Sequence, residues 1–356
     1  MMIVEPAADV QRINENDFLS KIVHDIKVKK ISNEAISLAK KFGYLPYMVQ
    51  RYIDILGYEE TTKLLNTFEH YIYRPVILCN NLKIDCNLLI KKLTAFGFEL
   101  KPVYWHRYGY IATKVVKSPT LGSTHEFLKG FYYVYRDAAS LLPVVALSPT
   151  PNSKVLDMCA APGGKSVHIL LAMMDRGLLV ANDISKVRVK SLVVNLFRMG
   201  LKSYVVISED ATVLPKKIND KFNYILVDAP CSAEGAIMFD KSRKTKTSEE
   251  DLARLVLREI KLLLSAIVMA KPGAQIVYTT CSIAPEENEY VLTKVLDLVG
   301  DDVVNIEPLN IDVGDSGLRR FNDLEFNSKV VCCTRIWPHK HFMEGYFVCS
   351  LRKLRE

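Results

Sequence analysis

Lys154-Val-Leu-Asp157-Met-Cys159-Ala160-Ala161-Pro162-Gly163-Gly164-Lys165-Ser166 is the stretch on which the fold turns. A short apolar run predicts a buried strand over 154–157, and Gly164–Met174 has the pattern of the helix it feeds. Between them lie small residues that let a backbone approach a ligand closely, with Gly163-Gly164 allowing a turn that a side chain would block. The helix N-terminus that follows offers free N–H groups to an anion. This is neither the GxGxxG of dinucleotide enzymes nor the GxxxxGK[ST] of triphosphate enzymes, whose first glycine is replaced by Asp157. Standing alone, the stretch would be read as a tight structural turn.

Downstream, strands and helices alternate regularly. Strands are expected over 178–183, 204–207, 224–228, 275–279 and 346–351, and helices over 185–199, 249–270 and 286–299. That rhythm predicts a mostly parallel sheet with helices on both faces. In such a sheet ligands bind outside the carboxyl ends of the strands. Here those ends carry Asn182-Asp183, Asp210 and Asp228. One strand-end carboxylate is usually a cap or turn former. A series of them beside a glycine-rich turn favours a nucleoside site, with Asp183 on the ribose hydroxyls and Asp210 near the adenine.

Before residue 118 the pattern differs. Helices are expected over 33–42, from Pro46 to the stop at Gly57, and over 59–68; then a strand (76–79), a helix (87–96) and a strand (108–115). The expected organisation is an N-terminal extension (1–30), a small α+β domain (31–117) and a catalytic domain (118–356). Lys83, Lys91, Lys92, Lys101 and Arg107 are spread along the small domain, equally readable as a solvated face or an RNA surface.

The net charge of +7 permits a polyanionic partner without demanding one. No apolar run approaches the ~20 residues of a membrane helix, and the acidic start, Met1–Asp9, is unlike a signal peptide. Eight cysteines without CxxC pairs or zinc spacing predict a reduced intracellular chain whose thiols are free and which holds no metal. Two of them, in Asp228-Ala-Pro-Cys231-Ser and Thr-Thr280-Cys281-Ser, follow the fourth and fifth strands and so can face one pocket. Either cysteine alone would be read as a small buried hydrophobe.

The blocks DMCAAPGGKS (157–166), NDISKVR (182–188), NLFRMG (195–200), ILVDAPCSAEG (225–235) and QIVYTTCSIAPEENE (275–289) resemble the NOL1/NOP2/Sun family of RNA cytosine-5 methyltransferases. GFYYVYRDAASLLPV (130–144) and TRIWPHKHFMEGYFVCSL (334–351) extend the resemblance over most of the chain from residue 33. It implies a class I, Rossmann-like fold with a seven-stranded sheet that uses S-adenosyl-L-methionine (SAM), preceded by a small RNA-binding domain. It further implies that Cys281 adds to cytosine C6, that Cys231 assists breakdown of the adduct, and that Asp228 holds the N3/N4 edge. Such covalent catalysis divides one hard step into easier ones. Cys159, Ala160, Ala161, Pro162, Gly163, Gly164 and Lys165 would wrap SAM, with Asp183, Arg188, Asp210 and Asp228 around it. The expected partner is tRNA or rRNA, bound by a monomer in the cytoplasm, or in the nucleus or nucleolus of a eukaryote.

The sequence departs from the family pattern at Leu78, Arg136, Ala233 and Glu344, where Arg, Gln, Gly and Asp are usual. Three alternatives stand beside the main reading. In DNA-type cytosine-5 enzymes the residue at Cys231 would be the nucleophile. Amine methyltransferases carry an [Asp/Asn]-Pro-Pro-aromatic turn where this chain has Asp-Ala-Pro-Cys. An assembly factor could keep the fold without turnover.

Overall fold

The computed structural model describes residues 15–309 and 311–355. Helix α1 (Glu15–Ile26) buries Ile22 and Ile26 against the long helix Glu249–Met269. From Glu15 onward, therefore, the expected extension is a helix docked on the catalytic core; Met1–Asp9 lies outside the described residues. Three helices follow. Ser32 caps α2 (Asn33–Phe42) by accepting from the Ala35 N–H, Pro46 opens α3 (Pro46–Leu56), and α4 is Tyr58–Glu69. Their apolar faces, with Met48, Tyr52, Leu65 and Phe68, meet Ile237, Ile283 and Trp337 of the catalytic part.

The small sheet comprises β1 (Val76–Cys79), β2 (Glu99–Pro102), β3 (Gly109–Lys114) and β4 (Tyr132–Tyr135), with α5 (Cys86–Ala95) after β1. Its order is β2-β3-β1-β4, and every pairing is antiparallel. Strand β4 lies beyond the expected boundary at residue 118: Val76 pairs with Tyr135, so the small sheet draws its edge from chain assigned to the catalytic domain. Leu78, where the family has Arg, is buried in the core shared with the catalytic sheet. Lys83 donates to the Arg198 carbonyl at a helix C-terminus, so its ammonium caps a helix.

The expectation that every cysteine is free is corrected here. The turn after β1 brings Cys79 to Cys86, with Cα atoms 5.9 Å apart, and Cys333 lies 4.5 Å from Cys349 between Cα atoms; both pairs are disulfides. Spacings of 7 and 16 residues match no framework pattern, and only the fold juxtaposes them. Cys159, Cys231, Cys281 and Cys332 remain free.

After α6 (Leu142–Leu147) come β5 (Ser153–Asp157), α7 (Gly164–Ala172), β6 (Gly177–Asn182), α8 (Lys186–Met199), β7 (Tyr204–Ile207) and β8 (Phe222–Asp228). Then follow α9 (Glu249–Met269), β9 (Ala270–Thr280), α10 (Glu289–Val299), β10 (Val304–Glu307), β11 (Thr334–Ile336) and β12 (Tyr346–Lys353). Strands β9-β8-β5-β6-β7 run parallel, while β10, β11, β12 and Asp315–Ser316 add antiparallel pairings at one side. Among the described residues the sheet has nine strands where seven were expected. Asp315–Ser316 and Thr334–Ile336 are too short to show a period of two. Strand order reverses between β5 and β8, which opens a crevice at their carboxyl ends.

Four successive buried residues tie this crevice to the rest of the chain. Glu286, Glu287, Asn288 and Glu289 are each at most 1% exposed. Glu286 accepts from Arg51 of α3 at 3.2 Å. Glu287 accepts from the Ser232 N–H and hydroxyl, both at 2.6 Å. Asn288 accepts from the Thr280 hydroxyl at 2.6 Å and donates to the Ser282 carbonyl at 3.1 Å. Glu289 takes two bonds of 2.6 Å from Arg335. A buried charge stripped of its partner costs far more than a surface one. Arg335→Ala is therefore expected to lose about 3–5 kcal/mol in urea unfolding, against less than about 1 for Lys340→Ala, which breaks an exposed pair. Equal losses would contradict this assignment.

Burial, then Glu234, pushes the Glu287 carboxyl up from 4.5 to about 7, although bonds from Ser232 and Ser282 pull it down. Between those values the folded chain keeps a proton that the unfolded chain has released. Stability from this group is greatest at low pH, falls as pH rises through the window and levels off above about 7. Glu287→Gln cannot ionise, so from about pH 5 to about pH 8 the variant should gain on the wild type by roughly 2–3 kcal/mol. Urea midpoints across that range check it; parallel pH profiles would refute it.

Candidate active site

The turn after β5 is riveted from both sides. Asp183, at the end of β6, accepts from the Ala161 N–H at 3.1 Å and from the Ser185 N–H at 2.9 Å. Arg188 lies 3.6 Å from the Asp183 carboxylate and donates to the Ala161 carbonyl. Gly163 has φ +108°, which a side chain would strain, and a Cβ there would also press on the Leu192 methyl at 2.9 Å. Asp210 acts locally as a turn former, its Oδ1 accepting from both the N–H and the hydroxyl of Thr212 at 2.9 Å. The Asn182 side chain bonds Met158 and Glu209, holding the ends of β5 and β7 together.

Asp157 is fully buried beneath this turn. Its Oδ2 accepts from the Ser166 hydroxyl at 2.7 Å, while Oδ1 has no partner among the described residues. Burial pushes its pKa up to about 7. Burial also raises the Cys159 thiol, helped by Asp228, Asp157 and Asp183, which keeps that thiol protonated.

Across the crevice, the sulfurs of Cys231 and Cys281 are 3.5 Å apart. The hydrogen bond with Cys281, and then burial, hold the Cys231 thiol well above its ordinary value. Asp228 accepts from Lys165 at 2.8 Å and from the Tyr346 hydroxyl at 3.4 Å. Burial alone would lower the Lys165 pKa, but Asp228 and Tyr346 outweigh it and keep the ammonium charged. Lys165 thus belongs to the glycine-rich turn by sequence and reaches the end of β8 by its side chain.

Two glycines let the thiol loops meet. The Gly235 N–H donates to the Cys281 carbonyl at 2.9 Å, and the Gly345 N–H to the Gly235 carbonyl at 2.8 Å. A Cβ on Gly235 would lie 2.0 Å from the Gly345 oxygen. Beside them, two departures from the family pattern pair with each other. Arg136 donates to Glu344 at 2.9 Å, and Ser140 donates to the same carboxylate at 2.9 Å. Ala233 has φ +60°, which explains why glycine is usual there.

Lys165, Asp228, Tyr346 and the two thiols meet at the ends of β8 and β9, Asp183 and Arg188 hold the turn after β5, and Asp210 bonds Thr212. Sequence reasoning missed Asp157, Tyr346 and the Glu287–Ser232–Ser282 cluster. Tyr346 follows the Met-Glu-Gly segment already singled out, but nothing in one sequence shows a C-terminal strand lying beside β9.

The family model for the 16S rRNA methyltransferases RsmB/F matches residues 144–352. The chain is 35% identical to a human 28S rRNA cytosine-C5 methyltransferase, over 89% of this chain and 38% of that protein. It is 32% identical to the 25S rRNA (cytosine-C(5))-methyltransferase nop2 of Schizosaccharomyces pombe, over 96% and 54%. The chain thus spans about half, or less, of the length of these curated relatives. A methyltransferase homologue from Pyrococcus horikoshii superposes with a TM-score of 0.81 at 30% identity, covering 91% of this chain and 100% of that one. NSun6 from the same organism, solved with SFG, shares the fold at a TM-score of 0.74 and 21% identity, covering 86% of this chain and 98% of that one. No helix among the described residues is long and apolar enough to cross a membrane, and no group of side chains there could hold a metal ion. The chain belongs to the NOL1/NOP2/Sun family of SAM-dependent RNA cytosine-5 methyltransferases.

Proposed function

We propose that the chain transfers a methyl group from SAM to C5 of a cytosine in ribosomal RNA. The observation that carries this reading is the pair of thiols 3.5 Å apart beside Asp228. Ribosomal RNA is favoured over tRNA because the curated relatives carry that substrate in their names. The crevice suits SAM: the partnerless buried Oδ1 of Asp157 can accept from an ammonium, and the glycine-rich turn can admit a carboxylate to the helix N-terminus. Cys159–Lys165, Asp183, Arg188 and Asp210 would line the cofactor. When bound, SAM supplies the electrophilic methyl group.

The protein's own part is to make C5 nucleophilic. The Cys281 sulfur adds to C6, which breaks ring aromaticity and leaves C5 enamine-like. Asp228, oriented by Lys165 and Tyr346, accepts from the N4 amino group and holds the ring edge-on. After methylation the C5 proton passes to water, its C–H electron pair forms C5=C6, and the C6–S bond breaks with its electrons on Cys281, which leaves as a thiolate. Cys231, kept as a thiol, can hydrogen-bond the departing sulfur. Arg136 contributes positive charge near Cys281. The target base must leave its stack to reach the thiols, which unpaired RNA allows most easily. The small sheet would carry part of that RNA, and a monomer suffices because one chain supplies every group named.

With tritiated SAM and ribosomal RNA, Cys281→Ala should give no methyl transfer and no protein–RNA adduct, whereas Cys231→Ala should accumulate a denaturation-resistant adduct. The reverse pattern would make Cys231 the nucleophile. RNA binding without transfer by the wild type would favour an assembly role.

A further inference from the structure

A cavity of about 450 Å³ lies beside the thiol crevice, between the small sheet and the segment before β12. Two exposed aromatic rings stand on its wall. Phe342 is 72% exposed and Tyr104 78%. Phe342 also adopts a left-handed backbone, φ +55° and ψ +32°, where it ends the helical turn Pro338–His341. Glycine is the residue that makes this stop without strain, and a bulky side chain there is an outlier. A phenyl ring left mostly in water returns little burial energy to the fold. Strain of this kind, held at the rim of a cavity, points to a ligand.

The remaining lining indicates which ligand. Tyr104 is held by its hydroxyl, which donates to the Asp312 carbonyl at 3.2 Å. Arg74 makes no hydrogen bond or ion pair among the described residues and is free to meet a phosphate. At the base, Tyr71 donates to Asp137 at 2.5 Å. Asp137 adjoins Arg136, whose partner Glu344 precedes Gly345, which donates to Gly235, itself a donor to the Cys281 carbonyl. The cavity wall therefore adjoins the segment that packs on the thiol loops: Met343 is two residues from Gly345, and Arg136, next to Asp137, lies within electrostatic reach of Cys281. Aromatic faces with a cation beside them are the means by which proteins hold unpaired nucleotides irrespective of sequence. We infer that this cavity receives an unpaired RNA nucleobase flanking the target cytosine, stacked on Phe342 and Tyr104 with its phosphate towards Arg74. The inference rests on the RNA reading above and extends it to a second base.

The test uses the full chain and a short single-stranded oligoribonucleotide with one cytosine, beside versions that are abasic on either side of it. Phe342→Ala should weaken binding of the intact oligonucleotide about tenfold, within the range of one lost stacking contact. It should bind the matching abasic version as the wild type does, and Phe342→Trp should retain affinity. Phe342→Gly should weaken RNA binding while raising the melting temperature, because it relieves the left-handed strain. SAM affinity should be unchanged in all variants. Intact-oligonucleotide binding by Phe342→Ala equal to wild type would overturn the inference and leave the cavity to a protein partner. An equal loss for intact and abasic versions would overturn it too. Neither outcome depends on methyl transfer, so failure of the enzymatic reading would appear separately.

Discussion

The run Glu286–Glu289 is the constraint on which the remaining structure depends. Four adjacent side chains that would ordinarily face water are buried, and each is bonded by a different part of the molecule. Arg51 brings the helical N-terminal layer, Ser232 the Cys231 loop, Thr280 and Ser282 the Cys281 turn, and Arg335 the C-terminal edge. Buried ion pairs are poor sources of net stability but severe against misplacement. Their effect here is positional: a shift of the Arg51 or Arg335 segment strands a charge, and a shift of the Ser232 or Thr280 segment strands a buried polar group. That is how two loops 50 residues apart in sequence hold their sulfurs 3.5 Å from each other.

Around that clamp the thiols acquire different environments. Cys231 is held protonated by the sulfur it faces and by burial, whereas Cys281 has Arg136 nearby. Asp228 is oriented by Lys165, which arrives from the opposite side of the crevice. The glycine-rich turn therefore does more than cradle a ligand. Its last residue reaches the group proposed to hold the substrate ring, which couples the two halves of the site through one ion pair.

Much of this was legible in the sequence, for physical reasons. The parallel strands announced themselves as apolar runs, and strand-end aspartates stood out because carboxylates are rare beside such runs. The α2 and β7 spans match the expected boundaries; for α2 the Ser32 cap and Gly43 mark both ends. What stayed hidden depends on contacts distant in sequence. Strand β4 looks like a lead-in to the catalytic domain until β1 is seen beside it. Cys79–Cys86 and Cys333–Cys349 carry no spacing signature. The carboxylates at 286–289 read as an ordinary helix start, because nothing local shows that their partners come from Arg51, Ser232 and Arg335. Arg136 and Glu344 stood out only as separate departures, and the fold brings the two side chains into one ion pair.

The central claim is that Cys281, not its neighbour, bonds to the cytosine ring. It is tested most directly by incubating the wild-type chain with SAM and ribosomal RNA containing 5-fluorocytidine, whose fluorine blocks the loss required at C5. The linked peptide is then identified by mass spectrometry. The account predicts a nucleotide attached to the peptide containing Cys281, with Cys231 unmodified. Attachment at Cys231, or a methyl-transferring protein that forms no linked peptide, would contradict it.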